Sequence, residues 1–438
     1  MAGSLLPVLI AAALLLSGAP TQAKGVGDGV DATGPLDISG ATLVQHGRSL
    51  VFKLRARGEW YPRMLDRQPE PGDSAARFAC VRIHKPGKSR TTQLCFGKRE
   101  SGRGDVLGLT VLQNGTVVDR SLIDARLKSD QTGRFEAAFR PDKAGLRPGR
   151  YRFHAATQWS GEECVPEALP CDDVAPDSGE ARFQLRRVKQ VGCKIRGSSL
   201  ILHGPQNRKR VALTFDDGPS GYTSSIASIL NTRKAKGTFF AVGSQLGGRE
   251  AQFRKLLKSG HELANHSYEH AYKPSYSSMA TTSKRIKAAT GFEPCLFRPP
   301  YGAYDSRVVG DARALGMTTT LWDVDPQDWT TPGSSAIYQR VVANVRPGSI
   351  VVMHDGGGNR SQTVGALSPI VQNLQGRGYR LVTVSQLMGY RPIWKPVKKG
   401  ATQRRRAIKR EPLPPDPSMF EPPPEFRAED NPHGLGRE

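Results

Sequence analysis

The sequence predicts two domains of different fold class, an all-β domain followed by an α/β domain built on a parallel sheet. The chain has 438 residues, which is too long for one ordinary domain. Between about 37 and 187, short stretches alternate apolar and polar residues, and from about 193 apolar strands alternate with helical segments. A period of two is typical of half-buried strands, and strand–helix–strand order is typical of parallel sheets. The change of pattern therefore places the domain boundary between 187 and 193.

The composition excludes several classes of protein. Hydrophobic residues make up 37% of the chain, which is enough for sizeable cores and excludes wholesale disorder. The 47 glycines follow no period, which excludes collagen. Lys and Arg number 63 against 40 Asp and Glu, so the net charge is +23. This charge favours polyanionic surroundings, but no nucleic-acid recognition motif is found, and we expect no nucleic-acid partner.

The N-terminus predicts export. Residues 5–17 form one apolar run, followed by small residues that end at Ala23. A run of this length is too short to cross a bilayer as a helix, which takes about 20 residues, and the pattern is typical of a signal peptide over 1–23. No Lys or Arg precedes the run, so a buried helix or a wrongly assigned start codon are the alternatives. The favoured localisation is secreted or associated with the cell envelope.

Six cysteines support export, because their number is even and no CxxC pair suggests a structural zinc site. Six cysteines allow 15 pairings, so the connectivity is inferred from proximity along the chain. The alternative is six reduced thiols in a cytosolic protein. The predicted disulfides are Cys80–Cys95, Cys164–Cys171 and, as the remaining pair, Cys193–Cys295.

The first domain, 37–187, follows a Gly- and Asp-rich lead-in at 24–36 that is predicted to be flexible. Turn pairs such as Asn114-Gly115 and Pro148-Gly149 separate the alternating stretches, which predicts antiparallel strands in a sandwich. The role of this domain is not predicted. The predicted strands include 50–54, 78–83, 108–112, 134–139, 151–155 and 181–185.

The second domain, 193–390, contains seven predicted strands and interposed helices, which indicates a parallel α/β barrel or an open sheet. Polar residues follow nearly every strand, at the end where such folds place active sites. The predicted strands are 211–215, 237–242, 262–265, 296–298, 317–322, 349–353 and 379–384, and the predicted helices include 251–258, 281–289 and 336–345.

The tail, 391–438, is predicted to be disordered with segregated charge. Residues 391–410 hold nine Lys and Arg and no acid, and residues 411–438 are acidic and rich in proline. The basic run predicts retention at anionic envelope polymers, and a solvated linker is the alternative.

Two groups of residues suggest a catalytic metal. Asp216 and Asp217 follow a predicted strand, and adjacent carboxylates at a strand end indicate a cation or a shared proton nearby. His266 and His270 are spaced i, i+4, so both reach one ion if the segment is helical. Two histidines and one carboxylate leave open positions for water, as catalytic metal sites do. A solvated helix face is the alternative for the histidines alone.

Three further segments lie at or after predicted strands. In Arg298-Pro-Pro-Tyr-Gly302 the two prolines fix φ, so the segment can hold a guanidinium and a backbone N–H in fixed directions. Asp325-Pro-Gln-Asp-Trp329 follows another strand. His354 precedes Asp355 and three glycines, which favours a loop at the mouth of a site over a capping or core histidine.

Residues of about 193–390 resemble the polysaccharide deacetylases, carbohydrate esterase family 4. Five motifs of that family occur in order, and Val352 stands where the family usually has leucine. The resemblance implies a distorted seven-stranded (β/α) barrel. The five motifs are Thr214-Phe-Asp-Asp-Gly218, His266-Ser-Tyr-Glu-His270, Arg298-Pro-Pro-Tyr-Gly302, Asp325-Pro-Gln-Asp-Trp329 and Val352-Met-His354.

The resemblance also implies a metal site and a general base. Asp217, His266 and His270 would bind one divalent metal, usually zinc, with Co²⁺ or Ni²⁺ as alternatives. Asp216 would be the general base, oriented by a salt bridge to Arg298.

The remaining implied residues act on the substrate. His354 would be the general acid, with Asp328 as its tuning partner. The backbone N–H of Tyr301 would help to hold the oxyanion. Trp329 and Val352 would line the pocket for the acetyl methyl group.

The predicted function is a secreted, metal-dependent hydrolase that removes N-acetyl groups from β-1,4 N-acetylglucosamine polymers, either peptidoglycan or a chitin-like glycan. No nucleophilic serine elbow is present, so a covalent acyl-enzyme is not expected. An acetylxylan-type O-deacetylase and a catalytically decayed wall-binding protein are the alternatives. Decay would show as a lost ligand or base, and every such position is filled. The oligomeric state is not predicted.

Overall fold

The computed structural model describes residues 24–32, 35–59, 65–66, 68–69, 76–96, 106–129, 133–160 and 171–397. The chain divides into two compact units, 1–189 and 190–438, called here the β unit and the catalytic unit. The predicted signal peptide, Cys164 and the tail from residue 398 lie outside the described residues. Among the described helices, none is long and apolar enough to cross a membrane.

The β unit is one antiparallel sheet, with eleven strands among the described residues. Every pairing within it is antiparallel. The strands are β1 Lys24–Gly27, β2 Ile38–His46, β3 Ser49–Ala56, β4 Phe78–His84, β5 Arg90–Cys95, β6 Val106–Gln113, β7 Thr116–Ser129, β8 Arg134–Phe139, β9 Gly149–Gln158, β10 Asp172–Ala175 and β11 Ala181–Leu185.

Strand β7 joins the two halves of this sheet. Its first part, up to Asp124, pairs with β6, and Ala125–Ser129 pairs with β8. The strand order is β1-β2-β3-β8-β7-β6-β5-β4-β9-β10, with β11 also paired to β9. One apolar cluster contains Phe52 and Phe135 from one half and Phe153 from the other. The all-β prediction is confirmed, but one continuous sheet stands where a sandwich has two.

Local sequence explains one turn of the β unit, and the structure corrects two of the predictions made for this unit. Asn114 and Gly115 have φ of 53° and 81° and form the two-residue turn between β6 and β7, as predicted. Pro148-Gly149 is not a turn centre, because β9 begins at Gly149. The lead-in predicted as flexible begins with β1, whose backbone pairs with β2.

The catalytic unit contains strands and helices in alternation. Its strands are β12 Val188–Lys194, β13 Leu200–Ile201, β14 Arg210–Gly218, β15 Gly237–Ala241, β16 Glu262–Asn265, β17 Leu296–Phe297, β18 Thr318–Thr320, β19 Ile350–His354, β20 Arg380–Leu381 and β21 Arg391–Pro396. Its helices are α1 Gly221–Thr232, α2 Glu250–Lys258, α3 Tyr276–Thr290, α4 Ser306–Ala314, α5 Ser334–Asn344, α6 Ser361–Gly376 and α7 Val384–Met388.

The main sheet of this unit is parallel, in the order β13-β18-β17-β16-β15-β14-β19, with β20 also paired to β14. These eight described strands exceed the predicted seven by β13, which is only two residues long. The sheet curls until the segment after β18 reaches β19, where Val352 donates its N–H to the carbonyl of Val324 at 3.0 Å. The predicted parallel α/β class is confirmed, in a curled sheet.

The ends of the catalytic unit are held by a separate two-stranded sheet of β12 and β21. Strand β21 occupies Arg391–Pro396, where the disordered tail was predicted to begin. The prediction was wrong for these six residues, because a charge-rich strand can still form where its backbone pairs with another strand.

The alternation of β14 places its polar side chains on one face of the sheet. Val211, Leu213 and Phe215 pack in the apolar cluster that contains Ile226 of α1 and Ile370 of α6. Successive side chains of a strand point to opposite faces, so Thr214 and Asp216 face the other side, away from the helices. Burial of the apolar face thereby directs the carboxylate of Asp216 into the interior of the curled sheet.

Two of the predicted disulfides lie within the described residues. Cys80 and Cys95 face each other across β4 and β5, and Cys193 joins Cys295 across 102 residues. The Cys193–Cys295 bond connects β12 to the residue before β17. The third predicted pair includes Cys164, outside the described residues, and stays a prediction.

We expect the double substitution Cys193→Ser and Cys295→Ser to lower the free energy of unfolding of the catalytic unit by about 2–5 kcal/mol, because the bond restricts a long loop in the unfolded chain. Denaturant unfolding of the full chain measures this loss. The double substitution Cys80→Ser and Cys95→Ser is the control and should act on the β unit. Mass mapping that finds either Cys193 or Cys295 as a free thiol in oxidised protein would contradict the pairing.

Candidate active site

The predicted site residues meet at the carboxyl ends of the parallel strands. Asp216 and Asp217 lie in the last part of β14, and His266 follows β16. Arg298 follows β17, and His354 is the last residue of β19. Strands of a parallel sheet end at one edge, so residues far apart in the chain converge there.

Three side chains form a candidate metal site. Asp217 Oδ1 lies 3.3 Å from His266 Nε2 and 3.0 Å from His270 Nε2. All three residues are at least 95% buried, and Asp217 Oδ1 has no hydrogen-bond partner among the described residues. Two ligands at about 2.0–2.2 Å from one tetrahedral zinc ion are about 3.3–3.6 Å apart, close to the two separations from Asp217.

The second nitrogen of each histidine is held on the far side of the ring. His266 Nδ1 lies 2.7 Å from the carbonyl of Arg298, which can only accept, so Nδ1 carries the proton. His270 Nδ1 lies 3.2 Å from the hydroxyl of Tyr301. Nε2 is thereby the nitrogen of His266 that is directed at Asp217, as in metal-binding histidines.

A loop, not a helix, brings the two histidines together. No helix covers residues 266–270, so the helical arrangement considered from the i, i+4 spacing was wrong. Ser267 and His270 have φ of 63° and 60°, and Asp217 has φ of 70°. Left-handed backbone at non-glycine residues costs free energy and is concentrated at functional sites. These turns direct the side chains of His266 and His270 toward Asp217 without the fixed spacing of a helix surface.

The electrostatics of the triad suit a cation. Burial alone would raise the pKa of Asp217, but His270 and His266 outweigh it and hold that pKa well below its ordinary value. The carboxylate is therefore ionised and buried, a state that is stable only beside positive charge.

Arg298 holds Asp216 from a fully buried position. Its Nη1 donates to Asp216 Oδ1 at 2.8 Å and to Thr214 Oγ1 at 2.7 Å. Its Nε and Nη2 donate to the carbonyls of Thr320 and Leu321 at 3.0 and 3.1 Å. With every nitrogen of the guanidinium group engaged, the ion pair that the resemblance implies has one fixed geometry.

His354 is paired with Asp328. His354 Nδ1 lies 2.7 Å from Asp328 Oδ1, and Asp328 Oδ2 accepts the N–H of His354 at 2.9 Å and the hydroxyl of Thr363 at 2.6 Å. Burial lowers the pKa of His354, but Asp328, followed by Asp217 and Asp216, outweighs burial and raises it to about 9. The imidazole is therefore protonated at neutral pH.

The residues predicted to contact the substrate differ in exposure. Trp329 is 44% exposed, and Val352 is buried in β19 on the same face as His354, two residues further on. Tyr301 has φ of 59° within a 3-10 turn at Pro300–Gly302, and its hydroxyl faces His270. Sequence reasoning assigned a role to the backbone of Tyr301 and missed this contact of its side chain.

Sequence reasoning also missed Asp355. Its carboxylate accepts the hydroxyl of Thr223 in α1, and its backbone N–H donates to the carbonyl of Asp216 at 2.9 Å. Burial, with repulsion from Asp217 and Asp216, raises the pKa of Asp355 to about 7. A Cβ atom at Gly356 would overlap the carbonyl of Asp217, so glycine is required there. The signal in the sequence was the Asp followed by glycines after the last motif.

The family model for polysaccharide deacetylase matches residues 203–320. The chain is 40% identical over 195 residues to a peptidoglycan-N-acetylglucosamine deacetylase of Bacillus cereus, covering 92% of that protein and 43% of this chain. The chain belongs to the polysaccharide deacetylase family. The family expected from the five motifs is thus confirmed.

Two further similarities involve this family. A chitooligosaccharide deacetylase of Bradyrhizobium is 33% identical over 198 residues, covering 90% of that protein and 41% of this chain. Among solved structures, a carbohydrate esterase family 4 pseudoenzyme from Bacillus anthracis is 31% identical with a TM-score of 0.41, covering 43% of this chain and 68% of that chain. The deacetylases named in this comparison are hydrolases of carbon–nitrogen bonds, which is the enzyme class predicted.

We expect Asp328→Asn to lower the pKa of His354 from about 9 to near or below its ordinary value, because the substitution removes the largest stabilising charge and leaves burial in place. NMR titration of the imidazole in metal-free protein measures the change. The pair stabilises the fold fully below the unfolded pKa, about 6.5, and this contribution is lost as pH rises through about 9.

The matched control is Asp311→Asn, because Asp311 pairs with Arg307 on the surface of α4. This control should leave the titration of His354 unchanged. An unshifted titration in Asp328→Asn would show that Asp328 does not set the charge of His354.

Proposed function

We propose that the catalytic unit is a metal-dependent N-deacetylase of polymers of β-1,4-linked N-acetylglucosamine, releasing acetate and a free amine. The observation that carries the proposal is the division of two adjacent carboxylates between different partners. Asp217 faces His266 and His270, whereas Asp216 is bound by Arg298. One strand end thus supplies a metal ligand and a separate base.

Zinc is the metal we propose for the site. The donors are one carboxylate and two imidazoles, a set that suits zinc and that leaves positions open for water and substrate. A bound zinc ion would polarise the amide carbonyl and lower the pKa of a coordinated water to about 7.

Asp216 is positioned to accept a proton from the attacking water. Arg298 engages Oδ1, while Oδ2 lies 4.0 Å from His266 Nε2, on the side of the metal ligands. The free oxygen therefore faces the place where water would be held. Because Arg298 is fixed by four hydrogen bonds, the carboxylate does not need to reorient during proton transfer.

His354 is positioned to protonate the departing amine. Its Nδ1 is held by Asp328, so Nε2 is the nitrogen left to face the site. An amine is a poor leaving group unless it is protonated, and an imidazolium with a pKa of about 9 carries the needed proton at neutral pH. This pairing of a protonated acid with a carboxylate base supports amide hydrolysis.

The named relatives support the choice of polymer. One is named for peptidoglycan N-acetylglucosamine and the other for chitooligosaccharide, and both substrates carry an N-acetyl group on a glucosamine ring. Exposed Trp329 offers an aromatic face for a sugar beside the site. We propose peptidoglycan or a chitin-like glycan as the natural substrate.

We also propose that the protein is exported and acts at the cell envelope, as its N-terminal apolar run predicts. The disulfides Cys80–Cys95 and Cys193–Cys295 support this, because such bonds persist in oxidising compartments. Protease accessibility on intact cells, together with N-terminal sequencing of the mature protein, tests it. Full-length protein that starts at Met1 and is protected inside the cell would overturn it.

Asp216→Asn and Asp217→Ala should fail differently. Asp217→Ala removes one of three metal-binding side chains, so metal content and acetate release should fall together. Asp216→Asn keeps nearly the same shape and the metal ligands but removes the base, so metal should stay while turnover falls about 10²–10⁴-fold. Metal analysis and acetate release on the same preparations measure both.

The opposite result, in which Asp216→Asn loses metal and Asp217→Ala keeps it, would reverse the two roles. Normal deacetylation by both variants would overturn the proposed function. The control is Asp311→Asn, which alters only the pair of Asp311 with Arg307 on α4, away from the carboxyl ends of the strands.

The substrate is tested by comparing acetate release from peptidoglycan, chitooligosaccharides and acetylxylan, each with and without a chelator. We expect chelator-sensitive release from one or both N-acetylated glycans. Release from acetylxylan alone would support an O-deacetylase, and no release from any of the three by metal-loaded protein would support a decayed scaffold.

A further inference from the structure

Three aspartates come together in the β unit, where the segment between β1 and β2 meets β10, and a fourth lies beside them. Asp28, Asp31 and Asp37 lie in that segment, and Asp173 lies in β10. One carboxylate oxygen from each of Asp28, Asp31 and Asp173 lies within 4.8 Å of the other two. None of these residues belongs to the candidate active site.

Asp37 and Asp173 are buried and Asp28 and Asp31 are half-buried, but several carboxylate oxygens of this cluster lack a partner. Both oxygens of Asp28, and one oxygen each of Asp31 and Asp37, are shielded from solvent and have no hydrogen-bond partner among the described residues. Asp37 is 4% exposed, and only its Oδ2 is paired, with Arg57 Nε at 3.0 Å. Because a buried carboxylate oxygen without a partner is costly, these oxygens point to a bound cation.

Hydrogen bonds place Asp37 beside the other three aspartates, because Arg57 contacts both Asp37 and the carbonyl of Asp28, and the N–H of Ile38 donates to Asp173. Burial raises the pKa of Asp37 more than Arg57 lowers it, and repulsion from Asp31 raises it further. Burial also raises the pKa of Asp173 to about 6, with contributions from Asp31 and Asp37. The carboxylates are therefore close enough to repel one another.

One arginine is too little charge to balance the cluster. Arg57 pairs with Asp37 and donates to the carbonyl of Asp28 at 2.8 Å. With all four carboxylates ionised, the one guanidinium that contacts them among the described residues would leave a net charge of −3, that is −4 + 1. Asp173 accepts neutral hydrogen bonds only from backbone N–H groups that the structure describes, such as that of Ile38 to Oδ2 at 2.5 Å.

We propose that Asp28, Asp31, Asp37 and Asp173 form a Ca²⁺ site. Calcium takes six to eight oxygen ligands at about 2.3–2.6 Å, so two oxygens on one ion are at most about 5 Å apart. The three clustered carboxylates satisfy this limit. The ion would neutralise the excess negative charge and fasten the segment before β2 to β10.

The donor set favours calcium over other metals. All four side chains offer hard carboxylate oxygens, with no imidazole or thiolate, which disfavours zinc and copper. Magnesium usually keeps several waters and uses one or two carboxylates, whereas calcium accepts several carboxylates in irregular geometry. The proposal is independent of the deacetylase function, because it concerns residues of the β unit alone.

The test measures calcium binding and thermal stability of the full chain. Protein with Asp217→Ala, which removes a ligand of the catalytic site, is stripped with EGTA and titrated with CaCl₂ by calorimetry. We expect one site, and an increase of about 5 °C or more in the unfolding midpoint of the β unit when calcium is a hundredfold above its Kd. MgCl₂ at the same concentration should give a clearly smaller shift.

Substitutions separate binding from general stability. Asp28→Asn and Asp31→Asn should abolish the response to calcium while leaving the calcium-free midpoint equal or higher, because each removes repulsion within the cluster. The matched control is Asp172→Asn, the exposed neighbour of Asp173 in β10, which should keep the full response. No binding heat and no shift in the parent protein, or an equal response in Asp31→Asn, would overturn the site.

Discussion

The buried ion pair between Arg298 and Asp216 is the interaction on which the candidate active site depends. The side chain of Arg298 fixes the proposed base, and its backbone carbonyl accepts from His266 and so sets the nitrogen that faces the metal position. One residue therefore orients both functions. Removing either partner of such a pair leaves an uncompensated buried charge, which costs about 3–5 kcal/mol. The carbonyls of Thr320 and Leu321, at the end of β18, complete the arrangement.

The sequence predicted that the candidate site residues would lie near one another because most of them lie at, or shortly after, the end of a strand in a parallel sheet. Alternation in β14 alone explains why Asp216 faces the interior while Phe215 packs against helices. The five motifs also show in which order the strands that carry these residues occur along the chain. The pairing of Arg298 with Asp216 and of His354 with Asp328, implied by resemblance, is present in the structure.

The features that the sequence did not predict depend on backbone conformation or on contacts between distant segments. No periodicity shows that Ser267 and His270 adopt left-handed φ, so the spacing of the histidines suggested a helix. Strand β13 is two residues long, too short to leave a pattern. The contact of Thr363 with Asp328 joins α6 to a 3-10 turn 35 residues away, and nothing in either local sequence marks it.

Both units contain buried carboxylates that need a positive charge nearby, but only in the catalytic unit does the local sequence reveal them. In the catalytic unit, Asp217 is one buried carboxylate beside two histidines, and adjacent motif residues reveal the chemistry. In the β unit, Asp173 meets Asp28 across about 145 residues, so no motif connects them. The net charge of +23 also conceals this cluster, because composition averages over all 40 acidic residues and does not show that a few of them lie together. A buried carboxylate must be protonated, paired or bound to a cation, and counting unpartnered oxygens finds such places where composition and motifs do not.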